Sequence, residues 1–347
     1  MTLLIYDQIW DTLGAPNTIR ELRNSADETL AVTATCSIQE VEELSKVTMQ
    51  HENLYVFGGG SILDKVKLAR CNQDENIRPF VSHGRAGIAT IPRGNFKGIT
   101  LIPTTLGTGS EANANAVLQV SPCRRRLVMP QYSGKIVYKH DPTVYAHLTK
   151  QQIMHGVLEV VLRTVGIALV TKEAEDTKRF IEMFSNASRY AEQAFQMEQV
   201  GEDRSLMSKI AVLSAKTHQI RLSASHTVWV WPLWYLANEL SSLAEVTKLE
   251  ASIALIRPVA SHIGEFGYGS QTVLSQLESE LGEPLADFVT RVGMPLTSNA
   301  TKSIVNVNHE ALVKQTLSQW SGSLLPLRTV HPAFIKQIFS EMSSQYV

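Results

Sequence analysis

The chain has 347 residues, which is long for one domain and comfortable for two. With 44% hydrophobic and 19% charged residues it has the composition of a globular protein, and a formal net charge of -1 excludes bulk attraction to nucleic acid or an anionic membrane. The three cysteines, Cys36, Cys71 and Cys123, are scattered without a CxxC pair, which excludes a disulfide framework and a cysteine zinc site. The opening "MTLLIYDQIW" has no basic head and no leader-type cleavage site, and no apolar run approaches the ~20 residues of a bilayer span. A cytoplasmic, soluble protein is the expectation.

The first part alternates strand and helix patterns. Leu3–Tyr6 is a short apolar strand ended by Asp7, and residues 16–24 read as a helix with proline near its start. Residues 30–35 are a second strand. Ser37 and Glu40 then form a capping-box signature ahead of a helical period. "NLYVFGGGSILDKVKLAR" reads as a buried strand, a glycine turn and a helix with Ile62, Val66 and Ala69 on one side. "GITLIPTT" supplies another strand, and "LGTGSEANANA" reads as a turn leading into a helix. Repeated β-turn-α units predict a parallel sheet with helices on its faces. Arg124-Arg125-Arg126, the compact basic cluster, reads as a solvated loop, with a phosphate clamp as the other reading.

Beyond Asp141-Pro142 the pattern is helical. Helices are expected over 150–172, 174–200, 204–222, 226–246, 248–264 and 270–290, with breaks near Gly201, Pro258 and Gly267-Tyr268-Gly269. The expected division is an α/β domain over 1–145 and a helical domain over 146–347. Ligands of such proteins lie outside the carboxyl ends of the parallel strands.

Two turns carry the chemistry. A strand-GGGS-helix unit is an anion cradle in physical terms: glycines let the backbone approach a phosphate, and the helix N-terminus supplies N–H donors and a favourable dipole. "PTTLGTGSE" adds the hydroxyls of Thr104, Thr105, Thr108 and Ser110. No Walker lysine follows either turn, so neither is a P-loop.

"GGGSILDKVKLA" followed some forty residues later by "IPTTLGTGSEAN" resembles the paired nucleotide-site motifs of the iron-containing (group III) alcohol dehydrogenases, within the superfamily that includes dehydroquinate synthase. "HDPTVYAHLT" and "FVTRVGMPLT" are similar to further landmarks of that family. The resemblance implies an N-terminal Rossmann-like dinucleotide-binding α/β domain, an all-α C-terminal domain and bound NAD or NADP. It implies a small alcohol or carbonyl substrate and a homodimer, with no nucleic-acid or membrane partner. Carried onto this chain, Gly58, Gly59, Gly60 and Ser61 face the pyrophosphate, Asp64 lies toward the nicotinamide, and Thr104, Thr105 and Thr108 hold the nucleotide. Asp7 either accepts from a ribose 2′-hydroxyl, favouring NAD over NADP, or is a strand-end turn residue.

The metal site departs from the pattern. Aldehyde-reducing relatives hold a divalent metal (iron or zinc) with an aspartate and three histidines, the first two as G-x-D-x-x-x-H. Here "HGVLEVVLRTVG" places Glu159 at the aspartate and Arg163 at the histidine, while Leu162 stands where the cyclase branch has a lysine. His226 matches a ligand position, but Val230 stands where a second histidine is expected and "LEASIALIRP" begins without the last. Glu159 and His226 are the only matched ligand positions, so a metal is expected to be absent or weakly held. Arg163 is either a fixed cation in the metal's place or a structural partner of Glu159, with a metal site assembled from unmatched residues as the third reading, and His226 is either a general acid/base or a core histidine. Trp229, Trp231 and Trp234 read as bulky core or pocket-narrowing residues, the last two sharing a helix face.

The function expected is an NAD(P)-dependent alcohol dehydrogenase or carbonyl reductase with Arg163, His226 and Glu159 as catalytic candidates. The alternatives are a dehydroquinate-synthase-like cyclase or lyase using NAD transiently, and a cofactor-binding protein without turnover.

Overall fold

The computed structural model describes residues 1–74, 76–82, 87–121, 124–131, 136–198, 203–219, 231–265, 268–293, 296–321, 327 and 330–346. The chain forms two compact units, Met1–Gly156 with Glu198–Gln219 and Val157–Met197 with Ile220–Val347.

The first unit contains, in order, β1 (Thr2–Asp7), α1 (Ile9–Leu13), α2 (Asn17–Ser25), β2 (Glu28–Val32), α3 (Ile38–Thr48), β3 (Asn53–Gly58), α4 (Gly60–Asp74), α5 (Arg78–Ser82), β4 (Ile88–Ile91) and β5 (Ile99–Pro103). A 3-10 turn (Ser110–Ala112), β6 (Ala116–Ser121), β7 (Arg124–Pro130), β8 (Val137–Tyr138) and α6 (Pro142–Tyr145) follow. α7 (Lys150–Val170) begins in this unit and runs into the second, and α9 (Arg204–Gln219) belongs to the first.

The principal sheet has the order β2-β1-β3-β5-β8, and every pairing in it is parallel. Its central strands are buried on both faces, as a parallel sheet requires. In β1, Leu3 and Ile5 join one core cluster with α3 and α4, while Leu4 and Tyr6 join another with Trp10, Ile19 and Val144. The predicted capping box at Ser37 and Glu40 is present at the start of α3.

A second sheet, β4-β7-β6, is absent from the sequence reading. It explains two corrections. The helix expected after "GTGSE" is only the single 3-10 turn, because the chain re-enters a strand at Ala116. Arg124–Arg126 forms part of β7 rather than a loop, and Arg126 is buried with Nη1 3.4 Å from the Phe80 carbonyl. α4 packs against β3, α3 and β6, so every residue from Ile62 to Ala69 is buried, not one side alone.

The second unit is helical. It holds the remainder of α7 with α8 (Ala174–Gln196), α10 (Pro232–Ala244), α11 (Lys248–Ser261), α12 (Gln271–Leu281), α13 (Leu285–Val292), α14 (Ser298–Val305), α15 (His309–Trp320) and α16 (Pro332–Ser344). The helix expected over 270–290 is two, broken where Gly282 takes φ 71° and Pro284 precedes α13. α11 instead continues through Pro258. α10 starts at Pro232, so Trp231 precedes the helix rather than sharing a face with Trp234; Trp231 is fully buried against Gly166. Among the described residues one helix, Lys150–Val170, is long and apolar enough to cross a membrane, and most of it is buried within the protein.

Candidate functional site

The strand order reverses between β1 and β3: β1 continues to β2 on one side, and the chain then returns to place β3 on the other. Ligands of open α/β sheets bind outside the carboxyl ends at such a point. Asp7 ends β1, Gly58 ends β3, and the neighbouring β5 ends at Pro103, paired with Gly58. The two glycine turns therefore leave the same edge side by side, and Thr104 N donates to the Gly58 carbonyl at 3.0 Å.

The turns face each other closely. A Cβ on Gly59 would lie 3.3 Å from Thr105 Cγ2, and one on Gly60 would lie 3.2 Å from Thr108 Cβ. Bare backbone at the start of α4 is thus apposed to the two threonines of the second turn. The first-turn amides of a helix have no intrahelical acceptor and suit an anion. Ser61 is exposed there, and Thr105 Oγ1 is buried without a hydrogen-bond partner among the described residues. Close backbone approach at a helix N-terminus and a buried hydroxyl without a partner among the described residues are features that suit an anion.

The second turn is shaped by conformation that other residues would resist. Gly107 has φ 86° and packs so tightly that a Cβ would fall 2.0 Å from the Gly156 carbonyl oxygen. Gly109 has φ 60°, and a Cβ there would overlap the His218 imidazole. Asn113 Nδ2 lies 2.9 Å from the Gly109 carbonyl and 3.0 Å from His218 Nδ1, bracing the turn against α9.

Charged groups inside the unit hold this turn from behind. Lys67, 1% exposed, donates to the carbonyls of Ser110 (2.8 Å), Asn113 (3.2 Å) and Asn115 (2.5 Å) and lies 3.0 Å from Asp64 Oδ1. Asp64 accepts from Ser110 Oγ at 2.5 Å and from Val117 N at 2.8 Å. The aspartate that the family resemblance sets toward the nicotinamide thus ties α4 to the turn and to β6. Glu111 is buried with Oε1 3.3 Å from His140 Nε2. Burial, then the nearby carboxylates of Glu111 and Asp141, push the Tyr145 hydroxyl pKa well up. Lys67 and Glu111 escaped the sequence reading, and His218 stands in no ligand motif of the sequence. The signal for Lys67 was its i, i+3 spacing from Asp64 in a helix with apolar residues on several sides.

Asp7 uses Oδ1 to accept from Ile9 N at 3.1 Å, leaving Oδ2 without a partner among the described residues. Thr104 is buried beneath the second turn. In the helical unit, Arg163 Nη2 lies 4.0 Å from Glu159 Oε2 across one turn of α7, with the arginine side chain 11% exposed and the glutamate 36%. Leu162 is core. His226 and Trp229 lie outside the described residues.

The metal that the family resemblance implies was tested against the donor set. Among the described residues no three His, Cys, Asp or Glu side chains converge, and a guanidinium stands at the second ligand position of α7. The described residues do not fit the group.

The model of the family described as iron-containing alcohol dehydrogenase matches residues 2–132. No curated protein matches the chain. Among solved structures, the NADH-dependent butanol dehydrogenase A of Thermotoga maritima superposes with a TM-score of 0.75 at 15% identity, over 98% of this chain and 90% of that one. The iron-containing alcohol dehydrogenase of Thermococcus thioreducens gives 0.70 at 15% identity, covering 99% and 92%. The sulfoacetaldehyde reductase of Bifidobacterium kashiwanohense, solved with NAD+, gives 0.69 at 15%, covering 99% and 91%. Residues 2–132 carry the sequence signature of the iron-containing alcohol dehydrogenase family, and the chain as a whole has that family's fold.

Proposed function

We propose that the protein is an NAD(P)-dependent oxidoreductase that interconverts a small alcohol and its carbonyl compound. The observation that carries this reading is the pair of apposed glycine turns at the reversal point of the sheet, with Gly59 and Gly60 bare toward Thr105 and Thr108. The neighbours with named activities are alcohol dehydrogenases and an aldehyde reductase, one of them solved with NAD+.

Gly58, Gly59, Gly60 and Ser61 would hold the pyrophosphate on the first turn of α4, with Thr104, Thr105 and Thr108 closing over it. Asp7 Oδ2 would accept from the adenosine ribose 2′-hydroxyl and would repel a 2′-phosphate, which favours NAD. Asp64 positions the second turn through Ser110 and Val117. The nicotinamide, when bound, supplies the hydride. We assign to Arg163 the fixed positive charge that polarises the substrate carbonyl, with Glu159 orienting it, and to His226 the proton that accompanies hydride transfer.

The test is fluorescence titration of the metal-analysed protein with NADH and NADPH, followed by turnover of short aldehydes. We expect NADH to bind at least tenfold more tightly than NADPH. Arg163→Ala should lower kcat by roughly 10²-fold with KM little changed, and Arg163→Lys should lower it less. Stoichiometric bound metal would overturn the guanidinium assignment. Product formed without net redox change would mark the cyclase reading, and binding of neither nucleotide would leave a protein without turnover.

A further inference from the structure

A cavity of about 550 Å3 opens in the α/β unit, away from the glycine turns' own residues. Gly14, Asn17 and Arg20 line it from the approach to α2, Thr143 and His147 from the segment after β8, and Arg204 from the first residue of α9. Three of these side chains carry or can take a positive charge, and among the described residues no aspartate or glutamate is in the lining.

Two carboxylates beside the lining have partners of their own. Asp141, two positions before Thr143, accepts from Thr18 Oγ1 with one oxygen and from Thr143 N (2.9 Å) and Oγ1 (2.7 Å) with the other. Asp203 caps α9 by accepting from Leu206 N at 2.8 Å. Neither Arg20 nor Arg204 makes an ion pair among the described residues; Arg20 Nη2 is held at 2.7 Å by Asn17 Oδ1. That contact folds a cation over the N-terminal turn of its own nine-residue helix, the end where the helix dipole disfavours it. The same turn lacks a side-chain cap, because its N-cap is Pro16, and has no acidic residue. Behind the cavity wall Trp10 meets the His147 ring edge-on at 5.3 Å, and its buried Nε1 has no partner among the described residues.

We propose that this cavity is a second anion site, one that takes the phosphomonoester group of a small molecule, distinct from the pyrophosphate cradle. A phosphate there would satisfy the amides at the start of α2 and receive forked hydrogen bonds from two guanidinium groups on separate helices. It would also remove the repulsion between Arg20 and its helix terminus. The site stands on the cavity and its cations and does not depend on the dinucleotide reading. The same chemistry has two sources, a phosphorylated metabolite and the 2′-phosphate of a dinucleotide.

The test is calorimetric titration of the full chain with inorganic phosphate at pH 6.5 and fixed ionic strength, with chloride as the control. Saturable binding is expected, weakened about fivefold or more in Arg204→Ala and in Arg20→Ala and partly kept in Arg204→Lys. Both arginines are exposed, and NADH affinity of the variants, expected within about twofold of the parent, shows that they fold. Glycerol 3-phosphate binding at least as tightly as phosphate would identify a phosphorylated metabolite as the source. A preference for NADPH over NADH that disappears in Arg204→Ala would identify the dinucleotide and would overturn the NAD preference assigned to Asp7. Absence of saturable phosphate binding, or binding that both alanine variants leave unchanged, would overturn the proposal. Loss of NADH binding with phosphate binding intact would sink the dinucleotide reading alone.

Discussion

The two units use buried charge in different ways. In the α/β unit the charged groups are turned on the backbone: Lys67 reaches three carbonyls, Asp64 takes an amide and a hydroxyl, and Lys65 Nζ reaches the Thr33 carbonyl at 2.9 Å and Glu40 at 3.0 Å. In the helical unit the charges meet other side chains. Glu239, 1% exposed, accepts from Asn238, Gln315, Gln319 and Trp320, and Arg163 stands 4.0 Å from Glu159. Charges on backbone fix the shape of a loop, which a bound pyrophosphate needs. Charges on side chains fix helix packing and leave room for the chemistry at a helix face to change.

The contrast is broken most directly at Gly107. Gly107→Ala places a Cβ against the Gly156 carbonyl and forces φ 86° on an L side chain, so we expect destabilisation of roughly 4 kcal/mol, measured by urea denaturation. A loss under ~1 kcal/mol would show that the turn is not rigid. Lys67→Met comes next. It leaves Asp64 and three carbonyls buried without their cation, and should cost roughly 3 kcal/mol and weaken NADH binding about tenfold or more. Unchanged NADH affinity in a folded Lys67→Met protein would separate the lysine from the site.

The smallest effect is expected in the helical unit, at the junction of α11 and α16. His262 Nδ1 lies 2.7 Å from Glu265 Oε2 and Nε2 lies 2.9 Å from Glu341 Oε1. Burial pulls its pKa down, but the hydrogen bonds and charges of both carboxylates outweigh burial and raise it above the ordinary value. A raised folded pKa contributes stability that is fully present below the unfolded pKa and is lost as pH rises through the folded one. Because Glu265 and Glu341 are partly solvated, the gain is on the order of 1 kcal/mol. Stability of the parent minus that of His262→Gln should therefore fall as pH rises from the ordinary imidazole pKa of about 6.5 through the raised folded one. A difference that is flat with pH would show that folding leaves the imidazole pKa unshifted.

Legibility followed the same divide. β1, β2, β3, β5, α2 and the capping box of α3 were readable because each is set by local pattern and end signals. β4, β6 and β7 were not, since their pairing is non-local and β7 opens with three arginines that read as a loop. The glycines of the site announced themselves, because close approach and positive φ leave few other residues possible. Lys67 and Glu111 did not, because a charged residue in sequence reads as solvated unless its partners, 43 and 29 positions away, are known. Arg163 and Glu159 were legible as a one-turn pair on α7, which is how they lie.

α4 has one further consequence. A helix covered on all sides from Ile62 to Ala69 has no solvent face from which to fray. It touches β3 in the principal sheet and β6 in the second, and its lysine grips the turn between them. Its opening and the global opening of the α/β unit are therefore one event, and the glycine turns belong to the last part of that unit to let go.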